Sequence, residues 1–161
     1  MHQKLILPAS IVLGVSLLAV PGYFMFAPKS PETVLAIELR PDDEAFVALG
    51  SQIYAESCAS CHGANLEGQA GWQRRNALGR LPAPPHDEFG HTWHHADAML
   101  FDLTKYGPAA LIGEGYESDM PGYEDTLTDD EILAVLSYIK SRWPDEIRRQ
   151  HDGFNAGGSH H

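Results

Sequence analysis

The segment Cys58-Ala59-Ser60-Cys61-His62 decides how this chain reads. Two thiols three positions apart, followed at once by an imidazole, suit one chemistry above others. The thiols can add to the two vinyl groups of a haem, and the histidine can then reach the iron from one side. The motif uses both cysteines of the chain. Its chance occurrence in a chain of this composition is on the order of one in a thousand. Two other uses of the pair are weaker. A thioredoxin-like redox motif wants a βαβ context, and no alternating strand pattern accompanies it. A zinc site needs further ligands, which the histidines would have to supply.

Helical patterns flank the motif. A helix is predicted from about Asp42, with Asp42, Asp43 and Glu44 placing negative charge in its first turn. Phe46, Leu49, Ile53 and Tyr54 give it one apolar stripe. Gly63 to Pro85 is rich in Gly and Pro and reads as loop. A second helix is predicted over about 94–106, with Met99, Leu100, Leu103 and Tyr106 as its face and Gly107-Pro108 as its stop. The last helix has the clearest start. Thr128 and Glu131 form a capping box, and Leu127 with Ile132 fits a hydrophobic staple. Ile132, Val135, Leu136, Ile139 and Trp143 keep helical spacing up to Pro144.

The N-terminal part differs. Leu5 to Phe26 is a run of 22 residues without a charge. As a helix it would span roughly 33 Å, enough for the hydrocarbon core of a bilayer. Tyr23 and Phe24 suit the interfacial belt, and Lys4 before the run keeps the N-terminus in the cytoplasm. The competing reading is a cleaved signal peptide. Its apolar region is normally shorter, and Phe24-Met25-Phe26-Ala27 is a poor cleavage site, with Val34-Leu35-Ala36 a late alternative. The expected organisation is an anchor or uncleaved signal at 1–27, a linker at 28–41, a helical domain at 42–146 and a flexible polar tail at 147–161.

The ordered features together resemble the class I c-type cytochromes over roughly residues 42–144. Four carry the likeness: the helix Leu49-Gly50-Ser51-Gln52-Ile53-Tyr54 running into Cys58, the motif Cys58 to Gly63, the loop Ser118-Asp119-Met120-Pro121-Gly122-Tyr123, and the helix Leu127 to Trp143. Leu81 to His95 is also similar to a group of bacterial membrane-anchored members. The resemblance implies an all-α, class I cytochrome c fold around one covalently attached haem c, here with an N-terminal transmembrane helix. It implies that the first and last helices cross where Gly50 and Tyr54 meet Val135 and Tyr138. Cys58 and Cys61 would form the thioethers and His62 the proximal iron ligand.

Two methionines compete for the other side of the iron. Met99 fits the apolar stripe of a helix, which is a core position. Met120 stands in a Gly/Pro-bounded loop, where a large apolar side chain has little reason to exist unless it is buried on something. The resemblance places the distal ligand at Met120. His/Met ligation fills both axial positions and leaves outer-sphere electron transfer as the chemistry, with no catalytic residue. The resemblance also implies a prolyl carbonyl that accepts from the second nitrogen of the ligand histidine. Pro82, Pro84 and Pro85 are the candidates, and all three stay open. His86, His91, His94 and His95 lie within ten residues, beside Asp87, Glu88 and Asp97. Imidazole and carboxylate suit copper or zinc, which makes a copper-handling segment an alternative to a solvated structural cap.

Composition narrows the partners. The chain has 161 residues with a formal charge of −11. Nothing in that balance neutralises phosphates, which argues against nucleic acid. Residues 114–131 hold eight acids and no Lys or Arg, and they bracket Met120. Such a face steers a basic redox partner. The expected function is that of a membrane-tethered monohaem electron carrier. It would be single-pass in a bacterial inner membrane through residues 5–26, with its haem domain periplasmic. The alternative is a permanent haem subunit of a larger oxidase or dehydrogenase.

Overall fold

The structure, a computed structural model, describes residues 37–156. The apolar run at 5–26, most of the linker and the end of the tail lie outside the described residues. Among those described, the regular structure is entirely helical, and no helix is long and apolar enough to cross a membrane.

Helix α1 spans Glu44–Ile53. The Asp43 side chain caps it by accepting from the Phe46 N–H at 3.1 Å. The chain then widens into one π-helical turn, Tyr54–Cys58, before tightening into the short α2, Ala59–His62. A π turn inserts one extra residue into the helical path and often marks a functional position. Here it re-aims the backbone just as the two cysteines arrive.

A single 3₁₀ turn, Thr92–His94, precedes α3, Asp97–Tyr106. The helix therefore starts three residues later than the predicted 94, because His95 and Ala96 leave helical geometry. Helix α4, Pro108–Ile112, follows directly and buries none of its residues. Helix α5, Asp129–Ser141, carries the predicted capping box. Glu131 N–H donates to Thr128 Oγ1 at 3.3 Å, and the Glu131 carboxylate accepts from Thr128 N–H at 2.8 Å.

Helix α5 is buried almost all round, from Ile132 through Ile139. Each buried aliphatic side chain there contributes roughly 1.5–3 kcal/mol. Helix α1 packs on it more extensively than any other pair of elements. The contact depends on Gly50. A Cβ at that position would stand 2.0 Å from the Ala134 carbonyl oxygen and 2.9 Å from Tyr138 Cβ, so only glycine permits the approach. Ile53 and Tyr54 join the core as expected, and the rings of Tyr54 and Tyr138 meet at 5.4 Å. Leu49, expected on the same stripe, is exposed because Gly50 takes the face toward α5.

Both ends of the domain extend past the predicted limits. Arg40 N–H donates to Ser137 Oγ at 2.9 Å, and Leu39 is buried with its N–H on Asp97. Residues 145–156, most of which were expected as a polar tail, form α6, Asp145–Ala156. His151 docks this helix. It is fully buried, lies edge-on to Trp143, and its Nε2–H donates to the His95 carbonyl at 2.9 Å. Lys140 holds Asp152 at 2.6 Å beside the buried Asp97.

Candidate functional site

The π turn and α2 deliver Cys58, Cys61 and His62 to the edge of one cleft. The thiols are not joined to each other. Burial, aided by the neighbouring Cys61, pushes the Cys58 thiol up to about 11, so it is protonated at neutral pH. His62 is buried at the end of α2. Its Nδ1 lies 2.8 Å from the Pro84 carbonyl oxygen. A carbonyl can only accept, so Nδ1 carries the proton and Nε2 keeps its lone pair. Burial lowers the His62 pKa, and the Pro84 bond partly opposes this. Of the three prolines open on sequence grounds, Pro84 makes the bond.

Four further contacts fix this wall. Tyr54 Oη donates to the Gly63 carbonyl at 2.8 Å and closes the turn after His62. The His86 ring stacks on His62 with centroids 3.9 Å apart. His86 is in turn fixed by Thr92 Oγ1 at 2.6 Å, and its carbonyl accepts from Trp143 Nε1 at 2.7 Å.

The opposite wall comes from α3, α4 and the loop before α5. Met120 sits half-buried in that loop and lines the same cleft as Cys58, Cys61 and His62. The exit of the loop is stapled to the end of α3, where Tyr123 N–H and Glu124 N–H both bond the Lys105 carbonyl at 2.9 Å. Tyr123 Oη reaches across to the Ser57 carbonyl at 2.8 Å and ties this loop to the π turn. The sequence places Tyr123 at the end of the Met120 loop but gives no sign of its bond to Ser57.

The cleft encloses about 600 Å³, a volume suited to a cofactor. Its walls fit a haem. Leu81, Met99, Leu111 and Ile112 are 39%, 50%, 44% and 58% exposed, and all four line it. So much open apolar surface around one concavity is what a large flat apolar group would cover. The thiols, the free Nε2 of His62 and a thioether are the donors that such a group takes. Met99 was expected in the core. It faces the cleft because α3 buries Leu100, Phe101 and Thr104 instead.

The histidine segment does not assemble a second centre. His91 lies 5.1 Å from His94 and 4.8 Å from His95 between ring centroids. Yet among the described residues no three His, Cys, Asp or Glu side chains are placed to hold a metal ion. His94 is stacked on Trp93, and His86 bonds Thr92.

The acidic segment is partly neutralised. Arg80 contacts Asp119 at 2.5 Å and Glu117 at 3.3 Å, and Lys105 contacts Asp129 at 2.6 Å. Glu114, Glu124, Asp125 and Asp130 have no cationic partner among the described residues.

A family model described as cytochrome c matches residues 47–143. Two curated relatives are CcoP subunits of cbb3-type cytochrome c oxidase from Rhodobacter capsulatus. They are 31% and 28% identical over 108 residues. Each match covers 67% of this chain and 33% of the relative, so the chain spans about a third of their length. No solved structure is significantly similar to the chain.

Proposed function

Since the chain belongs to the cytochrome c family, whose members carry covalently bound haem c and pass electrons, we propose that it is the electron-transferring haem subunit of a membrane-bound oxidase complex. Haem c when bound supplies a one-electron Fe(III)/Fe(II) couple. The side chains of this domain do the rest. Cys58 and Cys61 would hold the cofactor through thioethers. His62 would offer Nε2 to the iron, in a tautomer set by the Pro84 carbonyl. Met120 would offer its sulfur from the opposite wall. With protein donors from both walls, no site would be left for oxygen or peroxide, and electrons would enter and leave singly without bond making. The apolar side chains of Leu100, Leu103 and Leu111 would limit the access of water.

The observation that carries this reading is the His62–Pro84 bond at the edge of a cleft that also holds both thiols and Met120. The test is the spectrum of the purified protein. Haem that survives acidic organic extraction, and is lost in a Cys58→Ala/Cys61→Ala variant, is expected. Extractable haem in the parent overturns the attachment. Met120→Ala is expected to abolish the sulfur-to-iron absorption band, and its retention moves the ligand elsewhere.

The likeness to CcoP favours a subunit over a free shuttle. Residues 5–26 would tether it with the N-terminus cytoplasmic and the haem domain on the periplasmic face of a bacterial inner membrane. Purification in mild detergent is expected to recover oxidase subunits in fixed ratio, and recovery of this chain alone returns the free carrier. Glu114, Glu124, Asp125 and Asp130 suit a partner with a basic docking face. Electron transfer to it should then slow as salt rises.

A further inference from the structure

Between Glu117 and Pro121 the loop that carries Met120 makes few hydrogen bonds, although Pro121 packs close to Gly107 at its exit. Met120 N–H bonds Ser118 Oγ at 3.1 Å, but that contact is internal to the loop. Among the described residues, the bonds from this stretch to any other segment come from one side chain, Arg80. Its guanidinium reaches Asp119 and Glu117 together, and Asp119 is the residue before Met120.

Arg80 belongs to the other wall. It lies in the loop that leaves His62, one residue before Leu81 in the cleft. Its backbone is pre-set by a tight turn. Asn76 Oδ1 accepts from Arg80 N–H at 3.1 Å, and Asn76 N–H donates to the Arg80 carbonyl at 2.8 Å. A guanidinium fork on a fixed backbone loses little freedom in gripping two carboxylates.

We propose that Arg80 is a positioning residue, a strap from the His62 side of the cleft that holds the Met120 loop closed and thereby keeps the distal ligand on the iron. The inference rests on Met120 as that ligand. Arg80 touches neither iron nor haem in this role. It acts only through the loop. Its side chain is about one-third exposed and its partners more so, so the strap is of modest strength and sensitive to salt.

The test uses the full-length ferric holoprotein and imidazole as a competing iron ligand, followed by loss of the sulfur-to-iron band. Arg80→Ala is expected to bind imidazole roughly fivefold more tightly than the parent. Arg80→Lys, which keeps the charge but loses the fork, should fall between them. Raising salt should tighten imidazole binding to the parent and leave Arg80→Ala unchanged. A Glu117→Gln/Asp119→Asn variant should match Arg80→Ala, and combining all three changes should add nothing. This second variant carries the test if Arg80→Ala fails to fold. Equal imidazole affinity in parent and folded variants overturns the strap alone. A parent without the band overturns the Met120 ligand, and the strap with it.

Discussion

The α1–α5 crossing and the cleft beside it are held by different physics. The crossing is made of two helices whose facing residues are almost fully buried, brought together by a glycine with no room for a methyl group. The cleft walls are loops and short helices. They are held by single bonds such as Tyr54–Gly63, His62–Pro84, Tyr123–Ser57 and Arg80–Asp119. The crossing buries its own apolar surface. The cleft leaves its apolar surface open to a group that is not protein. One region is therefore specified by chain packing alone, and the other is completed by what fills it.

The largest expected effect compares one glycine from each region. Gly50→Val drives atoms into the Ala134 carbonyl and should cost at least about 3 kcal/mol of stability in urea titration. Gly79 lies in the loop at φ +78°, with open space around it, so Gly79→Ala meets only backbone strain of about 1–2 kcal/mol. Equal losses would erase the distinction between the regions.

Next in size is a pH effect at α6, which packs by the same logic as the crossing. Burial lowers the His151 pKa. Lys140 lowers it further, while Asp97, the His95 carbonyl and Asp152 pull the other way. His95 is lowered by burial and by its neighbours His91 and His94. A histidine kept neutral by the fold is protonated first in the unfolded chain. Stability is then full above about pH 6.5 and is lost as pH falls toward the lower folded values. The loss should not exceed about 1.4 kcal/mol per pH unit for each such group, and His151→Gln should flatten it in acid denaturation.

Tyr123→Phe removes the bond between the Met120 loop and the π turn. It should cost about 1.5 kcal/mol and leave helix content unchanged. Thr128→Ala removes half of the capping box, and thermal melting should report about 1 kcal/mol. If Tyr123→Phe lowers helicity as Gly50→Val does, the two regions fold as one unit and the comparison fails.

The crossing was legible in the sequence because helical spacing and capping are local signals. Thr128 and Glu131 announce α5, and Ile132 to Ile139 give its face. The motif at Cys58–His62 was equally plain. What escaped had no local signal. Helix α6 buries a histidine where a pattern search looks for leucine, so its polar composition read as tail. Met99 was assigned to the core because α3 is apolar on two sides, one toward protein and one toward the cleft, and periodicity counts both alike. Pro84 could not be told from Pro82 or Pro85, since the atom that matters belongs to the backbone that all three share. Arg80 had no motif at all, because its partners lie 37 and 39 positions away.

The Pro84 oxygen also bears on how this site can change by mutation. An acceptor supplied by the main chain is not removed by replacing the side chain at position 84. Insertions or deletions between Gly63 and Pro84 are another matter. Any that moves position 84 would bring a different carbonyl under His62 or none at all. At that position the residue's identity matters less to the bond than its register along the chain.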